Sequence, residues 1–170
     1  MRGSFVLVLA LALGLVSAEA SAQSGMGNPY GSSSGSKSHV ILSFKTMYGV
    51  NGPFLGGANP VRGVDGDAEA WFSKSIKGTL TSAGKLSINV KGLVLPDGTN
   101  DASEFRALVS CLAVTDTTVT ESNVVTDGFP ATAKGNAKIK ARVSIPDPCV
   151  APIVMILPGD EDVWFAMTGR

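Results

Sequence analysis

Short stretches in which apolar and polar residues alternate, separated by turns rich in glycine and proline, run through most of this chain. The clearest are WFSKSIKGTL and KLSINVKGLVL, residues 71–80 and 85–95, which the turn segment TSAG joins into a predicted hairpin. A period of two places alternate side chains on opposite faces of a strand, so it indicates half-buried sheet and not helix. The chain is therefore expected to be all-β.

Seven to eight strands follow from this pattern, and their spacing predicts a single antiparallel β-sandwich of immunoglobulin-like size. The predicted strands are residues 39–48, 71–80, 85–95, 104–115, 117–126, 137–145, 150–157 and 163–169. Pro152 predicts either an edge position or a bulge for the seventh of them. No tryptophan lies between the two cysteines, as it would in a true immunoglobulin domain. Closure of the strands into a barrel remains the alternative.

The first 22 residues have the anatomy of a secretory signal peptide. Arg2 supplies a positive charge, residues 5–16 are apolar, and small residues form two overlapping A-x-A patterns that end at Ala22. Glycine and serine dominate residues 23–38, which indicates a flexible tether. We therefore expect a secreted or periplasmic β-sandwich over residues 39–170, with no membrane span in the mature chain.

The two cysteines, Cys111 and Cys149, lie 38 positions apart, each in or beside an apolar strand. An even number of cysteines in an oxidising compartment usually means disulfide bonds. A redox-active pair would favour C-x-x-C spacing, and a metal site would need further histidines or cysteines nearby. We therefore predict a structural disulfide between adjacent or facing strands.

Charge excludes one class of partner. Lysine and arginine balance aspartate and glutamate at 14 each, and no basic patch suited to a phosphate backbone appears, so no nucleic acid is expected. Lys138, Lys140 and Arg142 alternate along one predicted strand. They are expected to form its solvated face.

Candidate chemistry is confined to acidic residues. The single histidine, His39, begins the first strand and is expected to be solvated rather than catalytic. Asp65, Asp67 and Glu69 lie in the long glycine-rich segment 49–70, where they could bind Ca²⁺. Two of them could instead be the carboxylate pair of a glycosidase. The other acidic cluster, residues 160–162, is expected to be a turn, and Trp71 and Trp164 to lie in the core or on a sheet.

Several segments resemble a group of uncharacterised secreted bacterial proteins. These segments are GTLTSAGKLSINVKGLVL, FRALVSCL, FPATAKGNAKI, PDPCVAPIV and WFAMTG. The resemblance implies an exported all-β domain and no particular activity. The hairpin is also distantly similar to CHRD-type β-domains, although the histidine-containing segment that often follows the hairpin there has no counterpart here.

The function that these features favour is an exported, non-enzymatic β-sandwich that binds an extracellular or envelope ligand, with the loop 49–70 as its contact surface. One alternative is a small hydrolase that acts on glycans through carboxylates such as Asp67 and Glu69. The other is a purely structural envelope component, without ligand or turnover.

Overall fold

The computed structural model describes residues 37–169, and strands dominate them. The predicted signal peptide and nearly all of the predicted tether lie outside the described residues. The strands are β1 (Val40–Phe44), β2 (Tyr48–Gly49), β3 (Asp65–Gly66), β4 (Phe72–Thr81), β5 (Lys85–Val94), β6 (Glu104–Thr115), β7 (Thr118–Val125), β8 (Phe129–Pro130), β9 (Ala137–Arg142), β10 (Val150–Pro158), β11 (Val163–Trp164) and β12 (Ala166–Met167). A 3-10 segment spans Gly52–Gly57. Within the described part of the chain, no helix is long and apolar enough to span a membrane.

Two antiparallel sheets share one apolar core. The first has the strand order β1-β4-β5-β9, and the second has the order β2-β12-β10-β6-β7, with β8 beside β6. A short parallel pair, β3 with β11, stands apart from both. Buried residues of both sheets belong to the same hydrophobic cluster, for example Ile76, Leu86 and Ile139 from the first and Phe105, Val109 and Ile156 from the second. The predicted all-β sandwich is confirmed.

The disulfide joins neighbouring strands of the second sheet. Cys111 lies within β6, and Cys149 immediately precedes β10. Their Cα atoms are 5.1 Å apart, and the next residues, Leu112 and Val150, are paired across the two strands. The predicted pairing is confirmed, and the strands that it joins are adjacent, not facing.

Strand β10 is central, and its proline lies in a bulge. The register against β6 shifts between Val150 and Ile153, and Ala151 between them has a positive φ of 46°. Such an irregularity absorbs the ladder hydrogen bond that Pro152 cannot donate. Both predicted explanations for Pro152 hold, because β12 pairs only with Met155 and Ile156, so that β6 is the one described strand beside β10 at the bulge.

The glycine-rich loop 49–70 packs against the second sheet. Val50 and Val64 are buried in the core. The Arg62 guanidinium donates to the carbonyl oxygen of Ala151 at 3.1 Å, and the Asn123 side chain donates to the carbonyl oxygen of Arg62 at 2.9 Å. These contacts fix the course of the loop although it has little regular structure.

Candidate functional site

Three segments that are distant in the sequence meet in one cleft of about 400 Å³, where β6 begins and β10 ends. We call it the acidic cleft. Its carboxylate side chains are Asp67, Glu69, Asp101, Glu104, Asp160 and Glu161. No lysine, arginine or histidine is among the described residues that line it. A concave surface that carries charge of one sign concentrates the field, so the acidic cleft attracts cations.

Aromatic side chains form part of its wall. Trp71 and Phe165 both line the acidic cleft, and their rings stack with centroids 3.8 Å apart and planes inclined by 14°. Phe105 of the core packs against Phe165 with their ring planes nearly perpendicular. Trp71 is only 2% exposed, and its indole N–H has no hydrogen-bond partner among the described residues. The wall is therefore closely packed, and its unpartnered N–H donor is buried.

The first acidic segment is held by backbone bonds at the end of the loop 49–70. The amide of Asp67 donates to the carbonyl oxygen of Trp164 at 3.2 Å, and the amide of Gly56 donates to the carbonyl oxygen of Asp67 at 3.0 Å. The Asp67 carboxylate accepts the amide of Glu69 at 2.6 Å. This last bond is an Asx turn, which orients the Asp67 carboxylate and fixes the backbone at Glu69.

The second segment depends on a buried asparagine. Asn100 donates from its side chain to the carbonyl oxygens of Ala102 and Thr132, at 2.8 and 2.9 Å, and its side-chain oxygen accepts the amide of Ala102 at 3.1 Å. These bonds are partly shielded from solvent, and only 7% of Asn100 is exposed. They fix the chain just before Asp101 and Glu104 enter the acidic cleft.

The third segment is held by Arg106 of β6. Its guanidinium donates to the carbonyl oxygens of Pro158 and Glu161, at 2.8 and 2.6 Å, and to the Asp162 carboxylate at 3.1 Å. The Asp162 side chain is 83% exposed, so the ion pair itself adds little stability. The two carbonyl bonds matter more, because they fix the turn that presents Asp160 and Glu161.

The three residues predicted as calcium ligands do not all lie together. Asp67 and Glu69 line the acidic cleft, whereas the carboxylate of Asp65 lies beside Gly57. Between residues 37 and 169, no group of three or more histidine, cysteine, aspartate or glutamate side chains is arranged to hold a metal ion. Calcium binding by Asp65, Asp67 and Glu69 stays a prediction.

The other residues considered in the sequence lie apart from the acidic cleft. His39 is exposed, and its Nδ1 atom is 3.3 Å from the hydroxyl oxygen of Ser82. Trp164 is fully buried, and Lys138 and Lys140 are exposed on β9. These positions agree with a solvated strand end, a core tryptophan and a solvated basic face.

Two contributors were not recognised from the sequence. Asp101 lies between two predicted strands, residues 85–95 and 104–115, and Glu104 is the first residue of the second of them; neither was singled out. Both reach the acidic cleft because the start of β6 lies beside the end of β10, where Phe105 pairs with Pro158. The cysteine pair is an approximate signal for this juxtaposition, because it indicates that β6 and β10 are neighbours.

No protein-family model matches the chain, and neither the curated proteins nor the solved structures include a significant match.

Proposed function

We propose that this chain is an exported, non-enzymatic binding protein whose ligand is cationic and occupies the acidic cleft. The observation that carries the proposal is the meeting of six carboxylates from three segments around the stacked pair of Trp71 and Phe165. Carboxylates attract ammonium or guanidinium groups, and the stacked rings give the same cleft an apolar wall. The disulfide is compatible with an oxidising compartment outside the cytoplasm.

Preorganisation supports binding at this position. Each acidic segment is held by hydrogen bonds that do not use the outward carboxylate oxygens, except for the Asx turn of Asp67. Few loop residues therefore need to become ordered when a ligand binds, which lowers the entropic cost of association. The mutual repulsion of the carboxylates is relieved when a cation enters.

Isothermal titration with pentalysine, at low and at physiological salt, tests the proposal. We expect binding that weakens as salt rises and that falls at least about tenfold in Glu104→Gln/Asp160→Asn, because two cleft charges are lost. The matched control is Asp116→Asn/Asp147→Asn, which removes two exposed charges elsewhere and should bind like the wild type. Equal affinities for the two double variants, or no binding to the wild type, would refute a cationic ligand in the acidic cleft.

The glycan hydrolase remains the second candidate, because Asp67 and Glu69 line the same cleft beside an aromatic wall. It requires turnover, so a panel of polysaccharides should release reducing ends with the wild type and not with a folded Glu69→Gln variant. That result would replace the binding proposal. Calcium chloride alone, titrated against wild type and Asp67→Asn, separates a metal-binding loop from a site for organic cations.

A further inference from the structure

One sheet edge of this protein is long and unprotected. Among residues 37–169, the two main sheets end at β1 and β9, and at β2 and β7. β2 has two residues, β1 is interrupted by a register shift, and β9 carries exposed lysines. These are the usual ways in which edges avoid pairing with other chains. β7 has none of them: its eight residues, TVTESNVV, contain a single charge and no proline, and they pair with β6 in unbroken register.

The edge strand also exposes apolar side chains. Val119 of β7 is 58% exposed, and its partner across the hairpin, Val114 of β6, is 53% exposed. Val125, at the other end of β7, is 39% exposed. Residues 118–121 are exposed on both faces of the strand, so this end of the hairpin projects beyond the sandwich. An unpaired backbone edge between exposed valines suits another extended strand.

We propose that β7 pairs antiparallel with β7 of a second copy of this chain, which would join the two second sheets into one continuous sheet. A two-fold axis normal to the sheet places the same face of both copies on the same side of the joined sheet. Side chains of alternate residues point to opposite faces, so two residues that lie opposite each other are either both odd-numbered or both even-numbered. The charge pattern then selects the register. A two-fold axis that passes between the two copies of Glu121 would set their carboxylates opposite each other. An axis between the two copies of Asn123 would leave fewer residues paired.

An axis at Ser122 satisfies both requirements. It pairs all residues from 119 to 125, sets Glu121 opposite Asn123 of the second copy, and brings Val119 opposite Val125 at both ends. The single acidic side chain thus faces a neutral amide, and the exposed valines cover one another. The self-complementarity of TVTESNVV about its serine is the reason for choosing a second copy over a foreign strand.

This interface is independent of the acidic cleft. The cleft lies at Glu104, where β6 begins, and the β6–β7 turn lies after Thr115, where β6 ends. Eleven residue steps of extended chain, or about 36 Å, separate these two positions, and the near end of the paired segment, Val125 beside Leu108, is four steps, or about 13 Å, from Glu104. The added strand would also lie on the side of β6 away from β10. A dimer through β7 therefore leaves the acidic cleft open, and failure of either proposal leaves the other standing.

Sedimentation equilibrium of the purified, oxidised protein tests the dimer. We expect a concentration-dependent dimer whose dissociation constant rises at least about tenfold in Val119→Lys, because a lysine on an edge strand opposes pairing. Val40→Lys is the matched control: Val40 is 55% exposed on β1, and its replacement should leave the dimer unchanged. A wild type that stays monomeric to about 1 mM, or equal effects of the two lysines, would overturn the proposal.

Cross-linking tests the register. In the arrangement centred on Ser122, a cysteine at 119 lies opposite a cysteine at 125 of the other copy and far from its own equivalent. We expect a mixture of Val119→Cys and Val125→Cys proteins to form a disulfide-linked dimer on oxidation, and neither variant to do so efficiently alone. Cross-linking of each variant alone, or no cross-link in the mixture, would exclude this register.

Discussion

Replacing both cysteines in Cys111→Ala/Cys149→Ala should lower the free energy of unfolding by about 3.9 kcal/mol, because the unfolded chain regains the freedom of a 38-residue loop. For a domain of this size the thermal midpoint should fall by roughly 10–15 °C. Denaturant titration of the oxidised wild type and of the variant measures the difference.

Ser110→Ala is the control for this experiment. Ser110 is the buried neighbour of Cys111, and its hydroxyl has no hydrogen-bond partner among the described residues, so its loss should change the free energy of unfolding little. A loss below about 1 kcal/mol for the double cysteine variant would contradict the account of the disulfide as the main cross-link of the second sheet.

Gly135→Ala should be a strongly disruptive replacement although Gly135 lies outside the apolar core. Gly135 has a φ of 64°, and a Cβ atom there would overlap the carbonyl oxygen of Leu93. Its own carbonyl oxygen accepts the amide of Leu93 at 3.0 Å. Relieving the overlap must break this contact, so we expect the free energy of unfolding to fall by more than about 3 kcal/mol.

Gly98→Ala separates the cost of the left-handed backbone conformation from the cost of the overlap with a neighbouring carbonyl oxygen. Gly98 also has a positive φ, of 84°, but a Cβ atom there would meet nothing within 4 Å. Only the left-handed backbone conformation is penalised, at about 1–2 kcal/mol. Chemical denaturation of both variants gives the comparison. Similar losses in the two would show that close approach to Leu93 is unimportant.

The strands were predictable because the signal for them is local. β6 was predicted residue for residue, since alternation and flanking turns define it at both ends. The last predicted strand, residues 163–169, is instead two short strands separated at Phe165. That break follows from packing, because Phe165 stacks on Trp71, and such a long-range contact has no signature in the local pattern.

The acidic cleft was only partly predictable. Asp67, Glu69, Asp160 and Glu161 were visible as acidic clusters, but their meeting depends on how distant strands pair. The cysteines contained that information. They contained it only approximately, because setting Cys149 opposite Cys111 in antiparallel neighbours would bring Pro158 opposite Ala102, three residues from its actual partner Phe105. The difference arises because the two cysteines are not directly opposite each other and because β10 has a bulge. The position of the loop 49–70 could not be obtained in this way, because its bonds to Ala151 and Asn123 are tertiary.

Occupation of the acidic cleft is measured most directly by heteronuclear NMR of the ¹⁵N-labelled protein during a pentalysine titration. The chain has two tryptophans and therefore two indole N–H signals, which a Trp164→Phe variant assigns. Trp71 lines the acidic cleft with an unpartnered indole N–H, whereas Trp164 does not line it. A cationic ligand in the cleft predicts a shift of the Trp71 indole signal together with the amides of residues 101–104, and little change at Trp164. Binding that leaves the Trp71 signal and these amides unchanged would contradict it.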